Sequence, residues 1–230
     1  MQNIKVIAFD ADDTLWVNEP YFQEIEKKFC EMLEDFLPHH SVAKELFKVE
    51  MDNLELYGYG AKAFVLSMVE TVLKVSNNTA PIGLIEKVIQ FGKELINKQI
   101  ELLEDVEEVL SNLQPKYRLV VATKGDLLDQ ERKLLKSGLE KYFHHIEIMS
   151  DKQVKDYQKL IKHLDIQSNE FMMIGNSLKS DVLPVLELGG VGVHVPYHTT
   201  WAHEVVDVNI ENPNFYQISR LGEILNYFRA

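Results

Sequence analysis

The chain has 230 residues, 46% hydrophobic and 26% charged, which suits one α/β domain or a core carrying an insertion. A formal net charge of −12 argues against a non-specific nucleic-acid binder, and no apolar run approaches the length of a membrane span. The single cysteine, Cys30, excludes an internal disulfide, and the start MQNIKVIAFDADD lacks the basic and apolar pattern of a secretory leader, so the cytoplasm is the expected compartment.

Ile4 to Phe9 is apolar apart from Lys5 and stops at Asp10, the pattern of a strand buried on both faces. Trp16 to Gln99 then contains no convincing strand. Tyr21–Leu37, Val42–Leu56, Ala61–Val75 and Ile82–Leu103 read as amphipathic helices, separated by Pro38, Gly58 and Gly60, Asn77-Asn78 and Pro81. From there the rhythm is strand and helix in alternation. Leu119–Ala122, Ile146–Met149, Phe171–Ile174 and Val191–Val195 are expected strands, with helices at Leu127–Leu139, Tyr157–Leu164 and Leu178–Leu188. Such alternation implies a parallel sheet with helices on both faces. A short strand near Phe215 and a closing helix at Leu221–Tyr227 complete the pattern. The helical block follows the first strand, so it leaves from the carboxyl edge of the sheet, where open α/β folds bind ligands.

Three carboxylates, Asp10, Asp12 and Asp13, follow the first strand. Asp10 and Asp12 are two apart, so an extended backbone projects both to one side. Crowded carboxylates repel unless a cation neutralises them, and magnesium suits hard oxygen donors completed by water and phosphate. Alone, the cluster reads better as an acidic turn that caps a helix. It is not alone. Val120-Val121-Ala122-Thr123 is a strand ending in a hydroxyl, Lys124-Gly125-Asp126 continues it, and Lys152 and Lys155 precede the fourth strand. Met172-Met173-Ile174-Gly175-Asn176-Ser177 follows, with Asp181 beyond.

In order and spacing these segments resemble the four motifs of the haloacid dehalogenase-like superfamily, and they span essentially the whole core. The resemblance implies a Rossmann-like doubly wound parallel sheet in strand order 5-4-1-2-3, with residues 1–16 and 97–230 forming the core and 17–96 a helical cap whose opening gates substrate entry. It also implies a magnesium-dependent phosphatase acting on a small phosphorylated substrate. In that chemistry Asp10 is the nucleophile and Asp12 the general acid and base. Thr123 and the amide after it bind phosphoryl oxygens, and a lysine neutralises charge at the reacting centre. Lys152 is preferred over Lys155 because family members often place an aromatic residue about five positions on, where this chain has Tyr157. Asp10, Asp12 (through its backbone carbonyl), Asn176 and Asp181 are the expected metal ligands.

Two departures stand out. The fourth motif usually reads Gly-Asp, whereas this chain has Gly175-Asn176, which removes one full charge from the metal site. Asp13 stands where the family often has glycine, and its added charge near the metal would partly compensate. Within the cap, Tyr57, Lys62 and the bend at Gly58 and Gly60 form a candidate specificity loop; with Lys124 and Gly125 they make the expected substrate-binding set. Pro196 breaks any continuous helix that could carry His194, His198 and His203 as a zinc set. Halide-removing relatives hold substrate with a cap-side arginine, yet no arginine precedes Arg118. Dehalogenation, a phosphomutase and a non-catalytic binding protein therefore rank behind phosphate hydrolysis. No nucleic-acid or membrane partner is expected, and the chain is expected to be a monomer or weak homodimer.

Overall fold

The structure, a computed structural model, describes residues 3–228; positions 1, 2, 229 and 230 of the expected core lie outside them. The chain separates into two compact units. Unit 1 comprises Met1–Glu19, Ile100–Lys124 and Gln130–Ala230; unit 2 comprises Pro20–Gln99 and Gly125–Asp129. The short Gly125–Asp129 segment, which the sequence assigns to the core, groups with unit 2.

Unit 1 is built on six parallel strands: β1 (Val6–Phe9), β2 (Arg118–Lys124), β3 (His145–Met149), β4 (Phe171–Gly175), β5 (Val191–His194) and β6 (Phe215–Gln217). Their order is β3-β2-β1-β4-β5-β6. Read from the other edge, this is the expected 5-4-1-2-3 extended by the short strand at Phe215. β1 lies in the middle, with Phe9 in register with Val121 on one side and Ile174 on the other. The alternation of strand side chains divides two apolar layers. Ile7, Phe9, Leu119, Val121, Met172 and Ile174 pack with Val109, Leu110 and Leu113 of α5 (Val106–Leu113) and with Ile224. Val6, Ala8, Val120, Ala122, Phe171 and Met173 face the other way, onto Tyr157, Leu160 and Ile161 of α7 (Val154–His163) and Val185 of α8 (Leu183–Glu187).

Three local outcomes differ from the sequence pattern. Helix α5 was not expected. The fourth helix of the insertion, α4 (Ile82–Asn97), stops before Leu103. Residues after it pair instead with the outgoing connection: Val17 N–H donates to Glu101 O (2.9 Å), Leu103 N–H donates to Leu15 O (3.0 Å), and Trp16 bridges Leu102 in antiparallel sense. The expected helix at Leu178–Leu188 begins as a π-type turn, Leu178–Val182, before α8. Pro184 has no N–H to return to the Ser180 carbonyl. That carbonyl accepts the Tyr157 hydroxyl at 3.0 Å.

Unit 2 contains α1 (Glu19–Met32), α2 (His39–Tyr57), α3 (Ala61–Val75) and α4; Glu19, at the start of α1, counts with unit 1. Their apolar stripes share one core that includes Ile25, Phe29, Leu46, Phe64, Met68 and Val88. Gly92 lets α3 and α4 approach, since a Cβ there would stand 2.2 Å from Val65 Cγ2. Cys30 is buried in this core, which pushes its thiol up to about 12 and leaves it unreactive. No helix among the described residues is long and apolar enough to cross a membrane.

Candidate active site

The carboxyl ends of β1, β2 and β4 gather the chemistry. Asp10 directly follows β1, and its N–H donates to Ile174 O of β4 at 2.9 Å, so the backbone continues the ladder while the side chain leaves it. The carboxylate is 7% exposed. Lys152, just ahead of α7, is 3% exposed and donates to Asp10 Oδ1 and, at 2.7 Å, to Asp181 Oδ1. Lys155 is exposed. Of the two lysines, Lys152 is the buried one that reaches Asp10 and Asp181.

Charge at this point does not balance. Asp10 and Asp181 are both buried and share one ammonium. Burial pushes Asp10 up, to about 7, against the pull of Lys152, and the Asp181 charge adds to the rise. Burial alone would lower the Lys152 ammonium, but Asp10 and Asp181 together hold it above its usual range. Asp181 is further fixed by Ser177 N–H, which donates to its Oδ2 at 3.0 Å. The chain needs glycine at 175 for this: a Cβ there would lie 2.2 Å from Asp181 Oδ2.

Thr14 links the first and fourth motifs. Its hydroxyl lies 3.2 Å from Asp10 Oδ2 and 3.4 Å from Asn176 Oδ1, and accepts from Asn176 N–H at 3.1 Å. Asp10 Oδ2 and Asn176 Oδ1 thus converge on one point, and each oxygen keeps a lone pair for a cation. Among the described residues no three His, Cys, Asp or Glu side chains form a metal cage. The side-chain oxygens of Asp10, Asp181 and Asn176 are a sparser set of hard donors, of the kind that leaves positions for water and phosphate on magnesium.

Asp12 is turned elsewhere. Its carboxylate accepts from Trp16 Nε1 (2.7 Å), Gln130 Nε2 (2.8 Å) and Lys133 Nζ (3.0 and 3.2 Å). Burial raises its pKa, but the Lys133 charge and these hydrogen bonds outweigh burial, and the group sits below the usual carboxylate value. Gln130 and Lys133 lie one turn apart on α6 (Leu127–Ser137) and were not anticipated. Trp16, at the entry to the helical insertion, is the third donor to this carboxylate. Asp13 also has a local structural role. Its backbone is left-handed (φ 60), and its carboxylate accepts from Asn18 N–H (2.8 Å) and Glu19 N–H (2.9 and 3.1 Å), so it caps the start of α1. Burial pushes it up to about 7 against those two amides.

Thr123 is buried near the end of β2, two positions past the residue paired with Phe9. Lys124 donates to Ser180 Oγ at 3.0 Å and pairs with Glu204. Gly125, Tyr57 and Lys62 all belong to unit 2, where Tyr57 OH donates to Glu70 (2.8 Å) and Lys62 pairs with Asp126 (2.8 Å).

This arrangement has relatives. Residues 4–189 match the family model described as haloacid dehalogenase-like hydrolase. The chain belongs to that family. It is therefore a hydrolase. A haloacid dehalogenase-like family hydrolase from Xanthomonas campestris is 32% identical, with 99% of this chain and 91% of that one covered and a TM-score of 0.89. A glyceraldehyde 3-phosphate phosphatase from Pyrococcus furiosus is 23% identical over 98% of this chain and 93% of its own length. A family hydrolase from Bacillus subtilis bound to magnesium is 19% identical, covers 99% of this chain and all of its own, and has a TM-score of 0.66. The Bacillus likeness speaks to the fold shared by these hydrolases.

Proposed function

We propose that the chain is a magnesium-dependent phosphatase that hydrolyses a small phosphorylated metabolite through an aspartyl-phosphate. The observation that carries this reading is the pair of buried carboxylates, Asp10 and Asp181, served by a single ammonium beside the oxygens of Asn176 and Thr14. One negative charge is left to attract a cation, and a divalent cation would in turn leave the site positive for a phosphoryl group. Asp10, the Asp12 carbonyl, Asn176 and Asp181 would hold magnesium. Bound there, magnesium would supply Lewis-acid charge at the phosphoryl oxygens.

The residues divide the work in two displacements. An Asp10 oxygen attacks phosphorus while the bond from phosphorus to the leaving oxygen breaks, and Asp12 protonates that oxygen. Water then attacks the acyl phosphate, Asp12 takes its proton, and Asp10 returns as a carboxylate with inorganic phosphate released. Lys152 offsets charge on Asp10 and on the transferring group, and Thr123 donates to phosphoryl oxygen. Tyr57, Lys62 and Gly125 in the helical unit, which we read as the cap, are proposed to select the substrate. The Pyrococcus relative, by its name a phosphatase of a three-carbon sugar phosphate, supports a small substrate.

The test is phosphate release from a panel of phosphorylated metabolites, with and without magnesium. Asp10→Asn is expected to lower release at least about 1,000-fold, because it removes the nucleophile. Turnover that survives this change, or that ignores magnesium, would contradict the reading.

A further inference from the structure

Lys124 stands next to Thr123, a position from which a cation would be expected to meet substrate. Two of its partners, Ser180 and Glu204, belong to unit 1. The ammonium pairs with Glu204, on the turn Ala202–Glu204 after β5, and donates to Ser180 Oγ at 3.0 Å. Lys124 and Glu204 side chains are only 16% and 11% exposed. Glu204 Oε2 also accepts from Ser177 Oγ (2.5 Å) and Ser180 Oγ (2.6 Å). Ser177 Oγ in turn accepts Ser180 N–H at 3.0 Å, closing the π-type turn. A second lysine, Lys179, donates to the His203 carbonyl at 2.8 Å and fastens the same segment from the other side.

The two serines lie within the fourth motif, between its two candidate metal ligands: Ser177 follows Asn176, and Ser180 precedes Asp181. Glu204 thus meets an ammonium and two hydroxyls, and through them reaches the turn that carries two candidate metal ligands. Handing Lys124 to a substrate would strand a buried carboxylate without its counter-ion. We propose that Glu204 is a positioning residue that withdraws Lys124 from substrate and uses it, with Ser177 and Ser180, to fix the turn bearing Asn176 and Asp181. The kinetic part rests on the phosphatase reading; the structural part does not. The expected Lys124 substrate contact is replaced by this role.

The test is a double-mutant cycle on the full chain with Glu204→Gln and Lys124→Met. Hydrogen exchange at the Asp181 and Val182 amides, which both donate to Ser177 O, is read without magnesium or substrate. Each single variant is expected to speed that exchange about tenfold and to lower kcat about tenfold or more, with KM unchanged within about twofold. The double variant is expected to be no worse than the poorer single one, because both changes break one network. A tenfold rise in KM for Lys124→Met with exchange unaltered would show that Lys124 meets substrate and would overturn the proposal, as would effects that multiply in the double variant. If Glu204→Gln does not fold, Ser180→Ala removes one link and keeps both charges; unchanged exchange there also overturns it. Because exchange needs no turnover, a protein inert on every phosphate ester would sink the phosphatase reading and leave this one still decided by exchange.

Discussion

Lys152 holds together two buried carboxylates, Asp10 and Asp181. Its removal leaves Asp10 and Asp181 buried side by side without a cation, and breaking a buried pair of this kind costs about 3–5 kcal/mol. Lys152→Met is therefore expected to melt well below the wild type at pH 8. Magnesium is expected to raise the melting temperature of the variant more than that of the wild type, since it replaces the lost charge. Thermal melts with and without magnesium check this, and equal magnesium shifts for the two proteins would argue that the cation does not neutralise these carboxylates. Thr14 and Gly175 matter at the same scale for steric and hydrogen-bonding reasons. One joins Asp10 to Asn176, and the other makes room for the Asp181 carboxylate.

Helix α6 acts as a unit on Asp12. Gln130 and Lys133 lie on one face of it, and both donate to the Asp12 carboxylate. Lys133 also donates to Asn18 Oδ1 at 2.7 Å, next to the residues capped by Asp13. In the second displacement Asp12 must be unprotonated to take a proton from water. Lys133 favours that state by holding the carboxylate below its usual pKa. Lys133→Met removes the favour, so the pKa rises and the acid limb of the kcat profile is expected to move to higher pH. A rate profile measured across the acid side checks the direction. An unmoved limb would mean that Asp12 leaves Lys133 before the proton moves. The π-type turn before α8 is a second element with a local cause, because Pro184 cannot donate to Ser180 O and Tyr157 takes that carbonyl instead.

At the scale of the molecule, a four-helix unit is inserted after the central strand without breaking the sheet. Each unit has its own apolar core. The two connections that bound the insertion pair with each other, through Val17 to Glu101 and Leu103 to Leu15. Replacing residues 20–99 with a short flexible linker is therefore expected to leave a folded sheet unit that melts cooperatively. Calorimetry and amide dispersion check this. A non-cooperative melt would show that the sheet unit depends on the helices for stability. The excised protein is expected to lose discrimination among phosphate esters, since Tyr57 and Lys62 leave with the insertion.

What the sequence by itself determined is whatever depends on near neighbours along the chain. Four central strands are visible as apolar runs because a strand buried on both faces is apolar at nearly every position, and the edge strand β3 shows as a shorter run around Glu147. Asp10 is visible because a carboxylate ends such a run, and Lys152 could be preferred over Lys155 through the spacing to Tyr157. The tertiary structure decided everything that depends on residues far apart. Asp12 meets Lys133 across 121 positions and Asp10 meets Lys152 across 142, and no periodicity records such meetings. Asp13 reads from sequence as an added charge beside Asp12, at a position where the family often has glycine. Folding gives its carboxylate the amides of Asn18 and Glu19 as partners, on a left-handed backbone. Lys124 reads from sequence as a substrate cation beside Thr123. In the fold it pairs with Glu204, 80 residues on, a meeting that no local pattern records.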